Sequence, residues 1–470
     1  MQAEARLKTN VGGLWSGVFQ SMAFIAPAAT AASFYVVEAG IAGVAVPLTF
    51  LIAIIGVSSA MYMNYEFSKR ISHAGGYYAY VSAGLGPRFS VFAGWLYFIN
   101  LLGALSGFSV LFFAGVLWPM VPALSANPYG WVPLAFIPLL IILVLLYRGL
   151  KPSLYYTLIG AAAEVVFLIV VSIIIIIKVG PANTIVPFTT AGNSFGHLGL
   201  ATVYAILGFV GVGSVITLSE ELKSPKKNVP KAIFVALAIA AVTYLLSSYA
   251  LVVGWGTANI SAFATATNPG FTVVGKFIGP IGMAIFIILT LNSFISNGIA
   301  EGNAFSRTGF ALARDNVLFK RSQAVVHQKY GSPTTVIFIE WVVIAAIAII
   351  GGLIFGPFVA AAVITTLNGA CLYIVHILAN FSLPVYGKRT LRVKMKGLLP
   401  LALGPLLATV VYAFALFGVF FPIPAYPLNI ASYLLIATVI IGVIIVAVAV
   451  RGRSKSEMNT VGRQVTSDEE

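Results

Sequence analysis

Two stretches of the sequence place helix-breaking residues in the middle of long apolar runs. Residues 21–30 read Ser-Met-Ala-Phe-Ile-Ala-Pro-Ala-Ala-Thr, and residues 208–214 read Gly-Phe-Val-Gly-Val-Gly-Ser. Pro27 has no N–H group and clashes with the preceding turn, so it is expected to free carbonyl groups around Ala23. In hydrocarbon, such a break is tolerated only where a cavity or neighbouring protein receives the freed backbone groups.

The two ends of a broken helix offer complementary binding chemistry. The restarting half-helix points unpaired N–H groups and a positive dipole end into the cavity, which suits a carboxylate. The complementary end offers carbonyl groups that can accept hydrogen bonds from an ammonium group. Neither break contains an acid or a base, which favours a zwitterion over a cationic amine without a carboxylate. The candidate substrate-binding residues are Ala23, Phe24, Ile25, Ala26, Pro27, Ala28, Phe209, Val210, Gly211, Val212 and Gly213. Phe209 is the candidate aromatic cover over bound substrate.

Each break also has a purely structural interpretation. Proline kinks and glycine packing faces occur in many membrane helices. Two interrupted spans in corresponding positions of two halves, however, are typical of an inverted-repeat transporter and mark its binding site. We therefore favour the functional interpretation for the pair.

Glu164 is the acid predicted to lie deepest in the membrane. Counted from Ser153, a rise of ~1.5 Å per residue places it about 16 Å into its span. Buried ionisable groups are expensive in lipid and usually functional. Glu164, expected as an isolated carboxyl group, is thus the candidate for proton coupling, and the structural alternative is a permanently protonated side chain bonded to a backbone carbonyl.

Other polar residues fall within the apolar runs. Ser293, Ser296 and Asn297 have helical spacings of three and four and share one face, where they could support the coupling site or pack between helices. His376 is expected to be a packing histidine with its hydrogen bonds satisfied. Four further acids are expected near span ends, solvated or paired there: Glu38, Glu66, Glu301 and Glu340.

The composition indicates that membrane-spanning helices position these residues. Of the 470 residues, 60% are hydrophobic and 9% are charged, against roughly 25% charged in soluble domains. A helix needs about 20 apolar residues to cross the hydrocarbon core, and the continuous runs exclude the alternation of a β-barrel. Twelve spans are predicted, over residues 12–38, 42–66, 88–118, 129–147, 154–178, 198–221, 232–256, 277–304, 335–354, 357–380, 398–421 and 428–450.

The basic residues predict the orientation of these spans. The formal net charge is +14, and of the 27 Lys and Arg residues all but Lys178 and Lys276 fall in alternate loops and both tails. This distribution follows the positive-inside rule, so both termini are predicted to be cytoplasmic in a multi-pass cell-membrane protein. Nucleic acid is not an expected partner; the basic clusters serve topology and the lipid bilayer.

The soluble parts of the chain are small. They are an N-terminal tail over residues 1–11, basic loops near residues 305–334 and 384–396, and a C-terminal tail over residues 451–470 that is predicted to be disordered. With four His and one Cys, no metal-ligand or nucleophile arrangement is apparent, so neither an enzyme nor a metal or cofactor is predicted.

Three stretches carry a resemblance to a known family. Residues 209–213 followed by Glu-Glu-Leu-Lys-Ser-Pro-Lys-Lys-Asn-Val-Pro at 220–230 form the first. The second is Ser-His-Ala-Gly-Gly-Tyr-Tyr-Ala-Tyr at 72–80, and the third is Ser-Arg-Thr-Gly-Phe-Ala-Leu-Ala-Arg-Asp at 306–315. The chain resembles the amino acid–polyamine–organocation superfamily of permeases over nearly its whole length.

The resemblance implies an all-α fold with five plus five helices in inverted topology, in which helices 1 and 6 are broken. The ten-helix core would cover residues 12–380, with repeats at about 12–178 and 198–380, and two extra helices would cover 398–450. The chain departs from the family at the first break, where many members have a Gly-x-Gly run, and at Leu207 and Gly213, where some members have Trp and Glu.

These observations predict secondary active transport of amino acids by alternating access. Neutral zwitterions are the expected substrates, and a proton is the candidate coupling ion, with exchange as the other mode. The alternative is a polyamine or other organic cation carrier of the same fold. A channel is disfavoured because no tandem pore-loop signature is present.

Overall fold

The computed structural model describes residues 7–266, 268–421, 423–451 and 453–462. The remaining parts of the two predicted tails lie outside the described residues. Within the described part the chain is all-helical, and its one β-type contact is an isolated bridge between Gly12 and Leu222. This agrees with the predicted all-α polytopic class.

Helices in the first half of the chain are α1 (Leu14–Ile25), α2 (Pro27–Ala42), α3 (Val46–Ser68), α4 (Tyr77–Leu85), α5 (Pro87–Gly103), α6 (Phe113–Leu117), α7 (Pro122–Ser125), α8 (Trp131–Tyr147), α9 (Leu150–Val179) and α10 (Phe195–Leu207). A π-helix, Ala104–Phe112, joins α5 to α6.

Helices in the second half are α11 (Pro225–Trp255), α12 (Ile260–Thr265), α13 (Pro269–Ile278), α14 (Pro280–Arg314), α15 (Thr334–Phe355), α16 (Pro357–Arg389), α17 (Met395–Gly418), α18 (Asn429–Val450) and α19 (Lys455–Thr460). Two of the long ones begin at a Gly-Pro pair. Gly279 and Gly356 have φ values of 92° and 77°, and the following proline occupies the first helical position, where its missing N–H costs no hydrogen bond.

Nine segments of the described residues are long and apolar enough to cross a membrane, by length and composition. The first of them, Leu14–Ser68, covers the first two predicted spans, and two shorter apolar helices, Trp131–Tyr147 and Phe195–Leu207, lie at the fourth and sixth. The count of twelve spans and the inverted repeat stay predictions.

The helices that carry the candidate residues pack together. α1 contacts α9, α11 and α14, and α9 also contacts α14. The short 3-10 helix Ser214–Leu218, which follows the second break, contacts both α1 and α14. Both breaks and Glu164 are therefore brought into one region of the helix bundle.

The C-terminal tail is ordered over residues 453–462, contrary to the prediction of disorder. The hydroxyl of Ser454 accepts a hydrogen bond from the N–H of Glu457 at 3.2 Å and starts α19 with a capping box. The N–H of Gly462 donates to Oδ2 of Asp315 at 2.6 Å, and Ser82 donates to the carbonyl of Val461 at 2.6 Å. These contacts hold a charged segment that composition alone favours as disordered.

Candidate functional site

The first predicted break lies between α1 and α2. Ala26 has φ 49° and ψ 69°, in the left-handed region, and its N–H donates to the carbonyl of Ala23 at 3.1 Å. Pro27 then occupies the first position of α2. A non-glycine residue in this conformation is uncommon, so the packing around Ala26 holds the chain in a sharp helix end and restart.

The carbonyl groups at the end of α1 are hydrogen-bonded by side chains. Asn297 Nδ2 donates to the carbonyl of Phe24. The carbonyl of Ile25 accepts from the hydroxyl of Thr30 at 3.0 Å and from that of Tyr244 at 3.1 Å. The freed carbonyls predicted at this break are thus present, and they are engaged from within the protein. Because a carbonyl has two lone pairs, that of Phe24, a residue that lines two cavities, can still accept a ligand donor.

Glu164 lies at the restarting end of the first break. Its side chain is fully buried. Oε2 accepts from the backbone N–H of Ala28 at 3.3 Å and from the hydroxyl of Ser293 at 2.6 Å, and Oε1 accepts from Asn292 Nδ2 at 2.9 Å. The expectation of an isolated carboxyl group is therefore wrong, because three donors from two other helices converge on it.

Glu164 and Ser293 bind the first free N–H groups of α2. The first N–H groups of a helix have no partner within that helix, and a negative group at this end is stabilised by the helix dipole. Here Ala28 donates to Glu164, and Ala29 donates to Ser293 Oγ at 3.2 Å. Glu164 and Ser293 thus cap the terminus to which the sequence argument assigned a substrate carboxylate.

The three residues of the predicted polar face of α14 have different hydrogen-bond partners. Ser293 binds Glu164, and Asn297 binds the first break through Phe24 while its Oδ1 accepts from Ser109 at 2.6 Å. The hydroxyl of Ser296 accepts a hydrogen bond from Asn292 Nδ2 at 3.2 Å. Asn292 itself was missed by the sequence argument, although it lies one helical turn before Ser296 and contacts Glu164 directly.

The second predicted break follows α10, which ends at Leu207. Gly211 has φ 102°, and a Cβ atom built on it would overlap the ring of Phe24. The two breaks therefore touch at a position that only glycine can occupy without displacement. Tyr244, which sequence reasoning did not single out, links them again, because its hydroxyl lies 2.9 Å from the carbonyl of Gly208 and 3.1 Å from that of Ile25.

Two cavities flank this contact. Counted together with the part that is open to solvent, the empty space is about 460 Å³ in the first and about 450 Å³ in the second. Phe24 and Val210 line both cavities. Of the other predicted binding residues, Phe209, Gly211 and Gly213 line the first and Ile25 the second. Ala23, Ala26, Pro27, Ala28 and Val212 are buried beside the breaks.

The walls of the first cavity combine apolar side chains with uncharged polar ones. Among the described residues that line it there is no Asp, Glu, Lys or Arg. Its polar side chains are those of Tyr77, Tyr97, Asn100, Ser214, His376 and Tyr412. The second cavity differs, because Glu301 and Asn297 line it. The side chains that line the first cavity therefore suit a neutral or zwitterionic molecule, which needs no counter-ion from a side chain.

Three of the four acids expected to be solvated or paired at span ends are buried instead. Glu38 is fully buried and accepts from Thr49 at 2.8 Å. Glu301 and Glu340 are buried, and both oxygens of Glu340 lack a hydrogen-bond partner among the described residues. The helices of Glu38 and Glu301 continue past the predicted span ends, to Ala42 and Arg314. Glu340 is buried although α15 begins at Thr334, one residue before its predicted span. Only Glu66 is paired as expected, with Lys69 at 3.0 Å and Arg70 at 2.6 Å.

The three stretches that carry the family resemblance meet at one end of the bundle. Arg307 pairs with Glu221 at 2.7 Å, and Arg314 pairs with Glu220 at 2.9 Å. The N–H of Ala74 donates to Glu220 at 2.8 Å. Burial and the neighbouring Arg314 guanidinium lower the pKa of His73 to about 4. These motifs thus form one ionic network that fixes the exit of the second break to α14.

The described residues include no group of three His, Cys, Asp or Glu side chains placed to hold a metal ion.

The comparisons with known proteins agree with the helical breaks and cavities in pointing to a permease. A methylthioribose transporter of Bacillus subtilis (strain 168) is 28% identical over 320 residues, covering 65% of this chain and 68% of that protein.

Two further relatives have names that refer to amino acids. A branched-chain amino acid permease (BcaP) of Lactococcus lactis subsp. cremoris is 27% identical over 60% of this chain and 64% of its own length. The serine/threonine exchanger SteT of Bacillus subtilis is 25% identical over 69% of this chain and 71% of its own length. The matched region thus spans about two thirds of each relative. The amino acid permease family model matches residues 17–458. The chain therefore belongs to the amino acid permease family.

Proposed function

We propose that this protein is a secondary active transporter of neutral, zwitterionic amino acids. The observation that carries the proposal is the contact between the two helix breaks beside the first cavity, which has no Asp, Glu, Lys or Arg among its described lining residues. Backbone groups at broken helices can bind the charged ends of such a substrate in the membrane interior. Because Glu164 and Ser293 already bind the first N–H groups of α2, the carbonyl of Phe24 is the proposed partner of the ammonium group and the second break that of the carboxylate.

The arrangement of the chain in the membrane completes the proposal. Twelve spans place both termini in the cytoplasm, according to the distribution of Lys and Arg. Residues 12–178 and 198–380 form the two inverted repeats of the transport core, and residues 398–450 form two additional helices. Alternating access then exposes the cavity to each side of the cell membrane in turn. With this orientation, the Arg307–Glu221 and Arg314–Glu220 pairs close the cytoplasmic path.

Glu164 is the proposed coupling residue. As a carboxylate it accepts three hydrogen bonds, from Ala28 on α2 and from Asn292 and Ser293 on α14. Protonation converts one of its carboxylate oxygens to a hydrogen-bond donor. In the present arrangement that oxygen lies opposite groups that also donate, so a hydrogen bond is lost. The bound proton therefore weakens the connection between α9, α2 and α14, and helix rearrangement becomes dependent on proton binding. Ser296 and Asn297 support this site through Asn292 and Phe24.

A polyamine or other organic cation carrier is the second candidate. It is supported by Glu301, whose carboxyl group lines the second cavity and could pair with an ammonium group. The first cavity does not offer such a partner among its described residues, which is why we place this function second.

Uptake into proteoliposomes tests both functions. Purified protein is presented with radiolabelled neutral, acidic and basic amino acids and putrescine, each with and without a pH gradient and with and without sodium. The proposal expects uptake of neutral amino acids that responds to the proton gradient and not to sodium. Uptake of putrescine with none of any amino acid would select the second candidate.

A further inference from the structure

His376 faces the first cavity and is not the satisfied packing histidine that the sequence predicted. It lies on α16, lines the cavity, and its ring stacks on Tyr412 with centroids 4.7 Å apart. Its Nε2 lies 3.3 Å from the hydroxyl of Tyr77. Its Nδ1 is buried and has no hydrogen-bond partner among the described residues.

The neighbouring hydrogen bonds determine which nitrogen of His376 carries the proton. Asn64 Nδ2 donates to the hydroxyl of Tyr77 at 3.0 Å, so that hydroxyl is free to donate its own hydrogen to His376 Nε2. A buried imidazole without a carboxylate among the described lining residues of its cavity is neutral, because an unpaired charge there is too costly. With Nε2 as the acceptor, the single proton lies on Nδ1. His376 therefore presents an unused N–H donor.

Ser214 adds a second unused polar group to the same cavity. It is the first residue after the Gly208–Gly213 turn; its N–H donates to the carbonyl of Gly211 at 2.8 Å, and its buried hydroxyl has no partner among the described residues. Oδ1 of Asn64, the residue whose Nδ2 donates to Tyr77, is also unpartnered. Buried polar atoms are nearly always hydrogen-bonded in folded proteins, so the unsatisfied His376 Nδ1 and Ser214 Oγ at one cavity indicate a place for a ligand.

Part of the cavity wall is apolar and comes from Val57, Met61, Phe209 and Leu372. Such a wall suits the carbon stem of a side chain, while the polar groups suit an uncharged tip. Building on the proposed function, we infer that Ser214, Tyr77 and His376 form a side-chain subsite that selects neutral amino acids ending in an amide or a hydroxyl group. The His376 Nδ1–H donates to the side-chain oxygen, and the Ser214 hydroxyl completes the pair.

A subsite of this kind discriminates against apolar substrates. A leucine or valine side chain would leave the donor on His376 and the hydroxyl of Ser214 buried without partners, and sites built to hydrogen-bond a substrate strongly reject analogues that lack the group. We expect glutamine, asparagine, serine or threonine to be preferred over leucine, isoleucine and valine by at least about tenfold in kcat/KM.

The test is competitive uptake into proteoliposomes by the full-length protein and three variants. His376→Phe keeps a ring against Tyr412 and removes both nitrogens, and Ser214→Ala removes only the hydroxyl. Both are expected to reduce the preference for polar over apolar substrates about tenfold or more, with uptake of apolar substrates retained. His197→Phe is the matched control, since His197 is exposed on α10, and it should retain the wild-type preference.

The outcomes separate this inference from the function on which it rests. Uptake limited to leucine, isoleucine and valine, or an unchanged preference in a folded His376→Phe or Ser214→Ala protein, overturns the subsite and leaves amino acid transport intact. Absence of uptake for every amino acid overturns both. Should His376→Phe fail to fold in a thermal-stability assay, the Ser214→Ala ratio decides.

Discussion

The hydroxyl of Ser293 lies 2.6 Å from Oε2 of Glu164, and the same hydroxyl oxygen accepts the N–H of Ala29 at 3.2 Å. One serine thus connects the buried carboxyl group on α9 to the restarting end of the first broken helix. A carboxylate there is stabilised by the positive end of the α2 dipole and by its three hydrogen bonds. The carboxyl group proposed for coupling is therefore joined to the break both through Ser293 and directly by the N–H of Ala28.

Removing that side chain should weaken the connection without removing the carboxyl group. In Ser293→Ala, Glu164 loses a donor and Ala29 loses its acceptor. Because hydrogen bonds to charged groups contribute about 1.5–3 kcal/mol, we expect gradient-driven initial uptake to fall by roughly tenfold or more. Ser172→Ala is the control, since the Ser172 hydroxyl donates to Leu168 within its own helix. Equal uptake by the two variants would argue against the proposed role of Ser293.

Gly211 should tolerate no side chain. Its φ of 102° is unfavourable for other residues, and a Cβ atom would overlap Phe24. We expect Gly211→Ala to separate the two breaks, to cost about 1–3 kcal/mol of folding stability and to abolish uptake. Melting temperature and uptake are measured together.

Gly418→Ala is the control for this substitution, because a Cβ atom at Gly418 would meet nothing within 4 Å. It should leave both melting temperature and uptake near wild-type values. If Gly211→Ala transported at the wild-type rate, contact between the breaks would not be required for function.

A substitution that removes only one partner of the Arg307–Glu221 pair should strongly destabilise the protein. The two side chains are 0% and 1% exposed, and loss of one partner leaves a buried charge, which costs about 3–5 kcal/mol. We expect Arg307→Met to lower the melting temperature by several degrees, and Arg307→Met with Glu221→Leu to recover most of the loss. Thermal unfolding in detergent measures both.

Lys69→Met is the control for this measurement. It breaks a partly exposed ion pair and should change the melting temperature much less than Arg307→Met. The Lys69 side chain is 38% exposed in its pair with Glu66, and such pairs contribute about 0–1 kcal/mol. A double variant at Arg307 and Glu221 that is less stable than Arg307→Met alone would contradict the assignment of the loss to an unpaired charge.

Features that depend on local backbone chemistry could be predicted from the sequence. Pro27 and Gly211 act on the chain where they stand, so both breaks were predictable. The rise of a helix predicted a deep position for Glu164, and its side chain is fully buried. Its partners could not be predicted, because contact with Asn292 and Ser293 depends on how α9 and α14 rotate about their axes. An apolar run that faces both lipid and protein does not indicate that rotation.

The same limitation explains why the sequence did not predict the orientation of His376 or the contacts of the C-terminal tail. His376 was expected in packing, yet α16 turns its ring toward the cavity. The tail composition favoured disorder, but the N–H of Gly462 binds Asp315, 147 positions away in the sequence. Contacts between residues so distant in sequence are not evident from either segment alone.

The central claim is that Glu164 couples amino acid transport to protons. The direct measurement is uptake of a transported neutral amino acid into proteoliposomes under an imposed inward proton gradient, by wild-type protein, Glu164→Gln and the control Glu66→Gln. Glutamine retains the size and one acceptor oxygen but cannot exchange a proton. We predict that the gradient stimulates uptake by wild type and Glu66→Gln, and that Glu164→Gln exchanges amino acid at a rate independent of the gradient. Undiminished stimulation in Glu164→Gln would contradict the coupling role.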